Sequence, residues 1–429
     1  MKLLPRLNFR KIAAMIALAG SASAAQSASA ATYTWAGGAT GGWATAANWT
    51  PTGFPISGNT SSSLMLQFSS RSSAYSSTDN VTNPFSLNRI DFETGTGSAQ
   101  TTITIAAGSA PLTFVSDSGT MPSIVQNSSG GFLINGAGTT GVGGIVLKDN
   151  LTLKGTGSGL VNISTIVSGT AGITVDGGAT FALAGVNTYS GGTTVKAGTL
   201  QFGTGSATVL GSGALTVEGG RISSVSSTQK TLANAVGVTA GATATFGSTV
   251  QTGALTFNGA ATFGNGAKVI ADSNLTFAGS ITTNGNLTLA PKQNAVMTLS
   301  SLNIAGGVTL ELALGANPLV ITGALTNSTA SKLNFDLSGG TIGQVYTLIN
   351  FGSTTLTYAD LNLLTGSYVL DQSFGTGGWQ INGNNLQVQL IPEPSAVGML
   401  LTGVSALGAF SLGSARRSRK RLKAEVGAH

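Results

Sequence analysis

A three-residue unit (apolar, threonine, apolar) recurs along this chain and limits what it can become. It reads Leu-Thr-Leu at 151–153, Ile-Thr-Val at 173–175, Leu-Thr-Val at 215–217, Leu-Thr-Phe at 255–257 and 275–277, and Leu-Thr-Leu at 287–289. Gly, Asn, Ser or Asp stands close to each copy. In an extended strand alternate side chains point to opposite faces, so the apolar pair turns one way and the threonine the other. Repeated period-two patterning of this kind predicts many short, half-buried strands. From 61 to 390 no stretch carries a 3.6-residue apolar stripe, so the expected fold class is all-β.

Short strands with frequent turns suit a sandwich, a barrel or a solenoid. Strands arriving every six to fifteen residues for over 300 residues exceed one sandwich core. Their mutual similarity is what stacked coils require, since each coil buries its apolar side only against its neighbours. The expectation is a right-handed parallel β-helix, a solenoid of about 15 coils of roughly 20–25 residues, on the order of 70 Å long. The body is placed at 61–331. Residues 31–60, which hold Trp35, Trp43 and Trp49, are expected to cap one end, where a solenoid exposes a sheet edge and an open core. Residues 332–390 are expected to form a β cap at the other end.

The charge sits at the ends. Of 20 Lys and Arg, four lie at Lys2, Arg6, Arg10 and Lys11, and six lie between Arg416 and Lys423. Between 31 and 394 ten basic residues face thirteen acidic ones, a net charge of −3, so a nucleic-acid partner is not expected. The positive start, the apolar run Ile12–Gly20 and the small-residue sites Ala22-Ser23-Ala24 and Ala28-Ser29-Ala30 read as a cleavable signal peptide over 1–30. Export through the Sec machinery with cleavage by signal peptidase follows. The chain has no Cys, so the exported fold rests on burial and backbone pairing without disulfides.

The stretch Leu183–Gly203 reads LAGVNTYSGGTTVKAGTLQFG and resembles the autotransporter-associated β-strand repeat. Gly185, Asn187, Thr188, Tyr189, Gly191, Gly192, Thr193, Val195, Gly198, Thr199 and Leu200 occupy the positions of that repeat's pattern. One full copy is present. The resemblance implies a parallel β-helix stalk on an exported surface protein and implies no catalytic role. Autotransporters also end in a membrane β-barrel, and none is expected in this chain.

Residues 391–423 carry a second resemblance. Pro392-Glu393-Pro394 is followed by the uncharged stretch 395–414, long enough to cross about 30 Å of hydrocarbon as one transmembrane helix. A basic tail over 416–423 follows, with Arg416, Arg417, Arg419, Lys420 and Arg421. It is expected to stay cytoplasmic. This order resembles the PEP-CTERM sorting signal. The resemblance implies recognition and removal of the tail by exosortase, an integral membrane enzyme of Gram-negative bacteria that make exopolysaccharide. The expected path runs through an inner-membrane intermediate to the cell surface or extracellular matrix.

Little in the body points to chemistry. The single His is residue 429, and Cys is absent, so Ser-His-Asp, Cys-His and the usual zinc sites are not expected. No metal and no cofactor are expected, although scattered Asp and Asn leave calcium open. Asp91 and Glu93 share a strand face and are read as solvated residues flanking an inward Phe92. Gly136–Gly141 matches a dinucleotide-loop spacing but leads into a strand, so turn glycines are expected. Trp35, Trp43 and Trp49 are candidates for sugar stacking beside their capping role. The resulting expectation is a non-catalytic β-helical surface or matrix protein in contact with exopolysaccharide. The alternative is a polysaccharide-binding adhesin or a polysaccharide-active β-helix enzyme. An enzyme would need a groove where three or more charged groups converge.

Overall fold

The structure, a computed structural model, describes residues 31–392 apart from 54–61, 83–84, 137–142, 204–207, 342 and 365–367. The expected signal peptide (1–30), transmembrane span (395–414) and basic tail (416–423) lie outside the described residues. Among the described residues the chain forms forty strands and two one-turn 3-10 helices, with no α-helix. No helix among them is long and apolar enough to cross a membrane.

Between the two closing ends the strands pair with strands one coil away and not with their sequence neighbours. A first face holds a twelve-stranded sheet running from the edge strand Trp49–Thr50, through Thr32–Trp35, to Ile281–Thr283. A second face holds fourteen strands from Thr40–Gly42 to Leu361–Leu363, every neighbouring pair observed being parallel. The third face is divided. A four-stranded sheet runs from Phe85–Leu87 to Val167–Gly169, and a ten-stranded sheet begins at Lys230–Leu232. The chain visits the faces in turn, which is the strand order of a coil wound round a core, consistent with a parallel β-helix. Fourteen strands at about 4.8 Å per step make the second face about 60 Å long.

The apolar–Thr–apolar units do what alternation demands. Leu151 and Leu153 are buried and Thr152 is half-buried; the same holds for Ile173, Val175 and Thr174, and for Leu255, Phe257 and Thr256. In-register stacking then places like on like: Leu255 on Leu275 on Met297, and Phe257 on Phe277 on Leu299. One continuous apolar cluster runs from Trp35 to Leu390. The partners Leu153, Val175, Val195 and Val217 are 20–22 residues apart. Earlier coils are longer, with Ile90 and Ile124 separated by 34, because the corner at 115–122 carries an extra bridge between Asp117 and Thr120.

Trp49–Thr50 closes the first face by pairing antiparallel with Thr32–Trp35. Trp35, Trp43 and Trp49 pack edge-to-face at 5.1 and 5.7 Å and rest on Phe68. They are 4%, 0% and 1% exposed. That corrects the sugar-stacking reading, since a ring sealed in this way presents no face to a saccharide. At the other end, Leu333–Ser338 and Leu361–Leu363 add two more parallel strands to the second face before closure. Closure comes from Asn385–Pro392, antiparallel to Val345–Thr354, Trp379–Asn382 and Tyr368–Leu370, with the Trp379 ring packed at a tilt 4.9 Å from Phe335.

Candidate functional site

The repeat residues occupy one turn of the coil, at the break in the third face. Among the described residues that face holds no strand between Gly169 and Lys230. Residues 185–190 cross it outside any strand instead. Thr188 N–H donates to Val167 O at 2.9 Å and Ser190 N–H to Gly169 O at 3.1 Å. Asn187 is buried there and joins three coils. Its Oδ1 accepts from Val167 N–H at 2.8 Å, 20 residues back, and its Nδ2 donates to Val209 O at 2.6 Å, 22 residues on. Tyr189 fills the core beneath, fully buried, with its hydroxyl 2.6 Å from Thr193 Oγ1. Burial pushes its phenol well above the ordinary range, and the Thr193 contact offsets part of that.

The remaining letters of the motif are steric. A Cβ on Gly185 would stand 2.2 Å from Thr165 O, and one on Gly191 would stand 2.4 Å from Ala171 C. Gly192 and Gly198 take positive φ, at +81° and +74°. Thr193, Val195 and Leu200 point inward, and Thr199 opens the next second-face strand. Each motif residue therefore packs, bonds or bends a coil. Of the motif side chains only Thr188 is exposed.

A concavity lies at the corner between the second and third faces. The turn 272–274 is short, while 247–254 and 292–296 on either side are long, which leaves a notch of about 400 Å³ lined by Thr249, Thr252, Asp272, Asn274, Lys292 and Gln293 among others. A second depression of about 220 Å³ shares Lys292 and Gln293 and is lined by Glu311, Asp336 and Ser338. Glu311 and Asp336 are register partners on adjacent strands. Lys292, Glu311 and Asp336 thus surround one depression, which is the arrangement asked of an enzyme groove. Glu311 is already held by Lys268 at 2.6 Å, and Asp272 by Arg221 at 2.6 Å. Sequence reasoning missed this place because it depends on the relative lengths of three corners in successive coils.

Asp91 and Glu93 do not form a solvated pair. Asp91 is buried and accepts from Arg89 Nε; burial raises its carboxyl above the usual range, and Arg89 offsets part of that. Glu93 is half-buried and accepts from Asn127 Nδ2 at 3.2 Å. Gly136 ends the strand Phe132–Gly136; the rest of the glycine-spaced segment lies outside the described residues. Among the described residues no three His, Cys, Asp or Glu side chains gather as a metal site. Pro392 ends the closing strand as register partner of Tyr368. Glu393, Pro394, Arg416, Arg417, Arg419, Lys420 and Arg421 lie outside the described residues.

A family model, the passenger-associated-transport-repeat, matches residues 173–202. The matched segment covers two strands of the first face, two of the second, and the asparagine–tyrosine crossing between them. It suggests a passenger-like β-helical domain of autotransporter type and implies a secreted or surface-exposed protein. No curated protein and no solved structure matches the chain.

Proposed function

We propose that this chain is an exported, non-catalytic protein of the cell surface or extracellular matrix. Its body is a right-handed parallel β-helix, and its tail is sorted and removed by exosortase. The observation that carries the reading is the repeat coil itself, whose motif residues are occupied with holding neighbouring coils together. Right-handedness follows from the strong preference of parallel crossovers for that hand. The sorting step is supported by the order Pro392-Glu393-Pro394, uncharged 395–414, then Arg416 to Arg421. Mass spectrometry of protein released from the surface tests it: the mature chain should lack both 1–30 and the arginine-rich end. Deleting Pro392–Pro394 should leave full-length protein in the inner membrane. Normal-sized product at the surface from that deletion would end the sorting reading.

A second reading, a polysaccharide-binding adhesin or polysaccharide-active enzyme, is favoured by the depression around Lys292, Glu311 and Asp336. Incubating the secreted protein with acidic and neutral polysaccharides separates the readings. Shortened chains would replace the non-catalytic reading with the enzyme. Binding without shortening that is lost in Lys292→Ala would favour the adhesin.

A further inference from the structure

The first face carries two outward columns across its central strands. One is threonine: Thr152, Thr174, Thr194 and Thr216 stand in register on four successive strands. The other begins with the register pair Lys154 and Asp176. It continues through Lys196 and Glu218, whose N–H groups donate to Val175 O and Val195 O at 2.8 Å each. All four are exposed, and their charges run plus, minus, plus, minus. Charged residues are 8% of the chain, so four on four successive rungs of one column is not a product of composition. Lys196 and Glu218 approach to 3.9 Å, whereas the Lys154 charge acts on the buried Asp91 carboxyl.

A column with that order has the opposite sign at every position when read backwards. A second copy laid antiparallel on this face, about a two-fold axis between the rungs of Asp176 and Lys196, sets Lys154 against its Glu218 and Asp176 against its Lys196. The neighbouring threonine column is short-chained and uncharged, so it meets its own copy without repulsion. The next rung presents Gly237, where an added Cβ would meet nothing within 4 Å, so the glycine is not forced by its own coil. It keeps the face low beside the charges. We propose that this face is an isologous, antiparallel contact between two copies of this chain. Six rungs by about four residues cover roughly 400 Å² on each copy, about 800 Å² in all, which is below the standard size of specific interfaces and gives a weak, salt-sensitive association.

Sedimentation velocity of the mature secreted protein, over a concentration series at low and high salt, tests this. The expected result is a reversible dimer that loosens as salt rises. Asp176→Lys places like charges at two contacts of the symmetric pair and should weaken association about tenfold or more. The exchange Asp176→Lys with Lys196→Asp restores every cross-copy pair while creating like-charged neighbours within one chain. It should dimerise as the wild type does, at a lower melting temperature. A monomer at every salt concentration would overturn the proposal and leave the column as an internal ladder. So would a dimer that Asp176→Lys, folded by circular dichroism, does not weaken.

Discussion

Asp79 should make the tryptophan-capped end of the rod lose stability as pH rises. It ends the strand Tyr75–Asp79, in line with the inward Tyr75 and Ser77, and is fully buried. Its Oδ1 accepts from Val81 N–H at 3.1 Å, while Oδ2 has no partner among the described residues. Burial pushes its carboxyl from 3.8 up to about 7, with the Val81 N–H pulling the other way. Below pH 4 the folded and unfolded chains both hold the proton. Between about pH 4 and 7 only the folded chain holds it, so stability falls as pH rises, by about 1.4 kcal/mol per unit. The loss by pH 8 is about 4 kcal/mol. Asp79→Asn keeps the Val81 contact, removes the titration and leaves an amide N–H₂ unpaired, at about 1–3 kcal/mol. The variant should therefore be more stable than the wild type at pH 8 and less stable below pH 4, where the wild type has lost nothing. Urea unfolding followed by tryptophan emission reports it, because Trp43 Nε1 donates to Ser77 Oγ on the same strand. Trp379→Phe in both proteins removes the signal from the far end. A wild-type midpoint that is flat from pH 5 to 8 would refute the reasoning, as would an equal slope in Asp79→Asn.

Three further outcomes follow from the repeat coil and its surroundings. Asn187→Ala should cost about 2–4 kcal/mol in thermal or urea unfolding, since Val167 N–H and Val209 O both lose their partner. Tyr189→Phe should cost about 1 kcal/mol by losing the Thr193 contact, and Tyr189→Ala about 3–5 kcal/mol through the cavity it opens. Gly185→Ala drives a methyl onto Thr165 O and should lower the melting temperature clearly, whereas Gly237→Thr should fall within about 0.5 kcal/mol of wild type.

The period-two signal was legible wherever a strand carried two apolar residues around a threonine, as at Leu151–Leu153, because a single register buries both. It failed at Tyr75–Asp79, where Ser77 and Asp79 take inward positions and alternation of hydrophobicity gives no direction. Asp91 escaped for a related reason: its burial depends on Arg89 and on coils a full turn away. Asn187 was visible as a letter of the repeat, yet its partners stand 20 and 22 residues off in sequence. The charge column, by contrast, was written openly. Lys154, Asp176 and Glu218 follow directly on apolar–Thr–apolar units and Lys196 on Thr193-Thr194-Val195, but their order gains meaning only once the four strands are known to stack.

Why one full copy of the repeat suffices is explained by where it sits. The third face changes from one sheet to another between Gly169 and Lys230, and among the described residues the coils there hold no strand on that face, only backbone bonds such as Thr188 N–H to Val167 O and Ser212 N–H to Tyr189 O. A side-chain amide can stand in for a peptide group, since it offers one acceptor and two donors of the same chemistry. Asn187 does this in both directions along the rod, and Asn234 repeats half of the device in the coil that opens the next sheet, donating to Gly211 O and Gly213 O. Tyr189 supplies the core volume that a strand's inward residues would have supplied, and the glycines let the crossing lie close against its neighbours. Elsewhere the third face has its strands and the motif is not needed. The repeat is thus a splice between two stretches of solenoid. An account in which its Asn and Tyr instead serve a ligand would have to expose two side chains that are now 2% and 0% exposed.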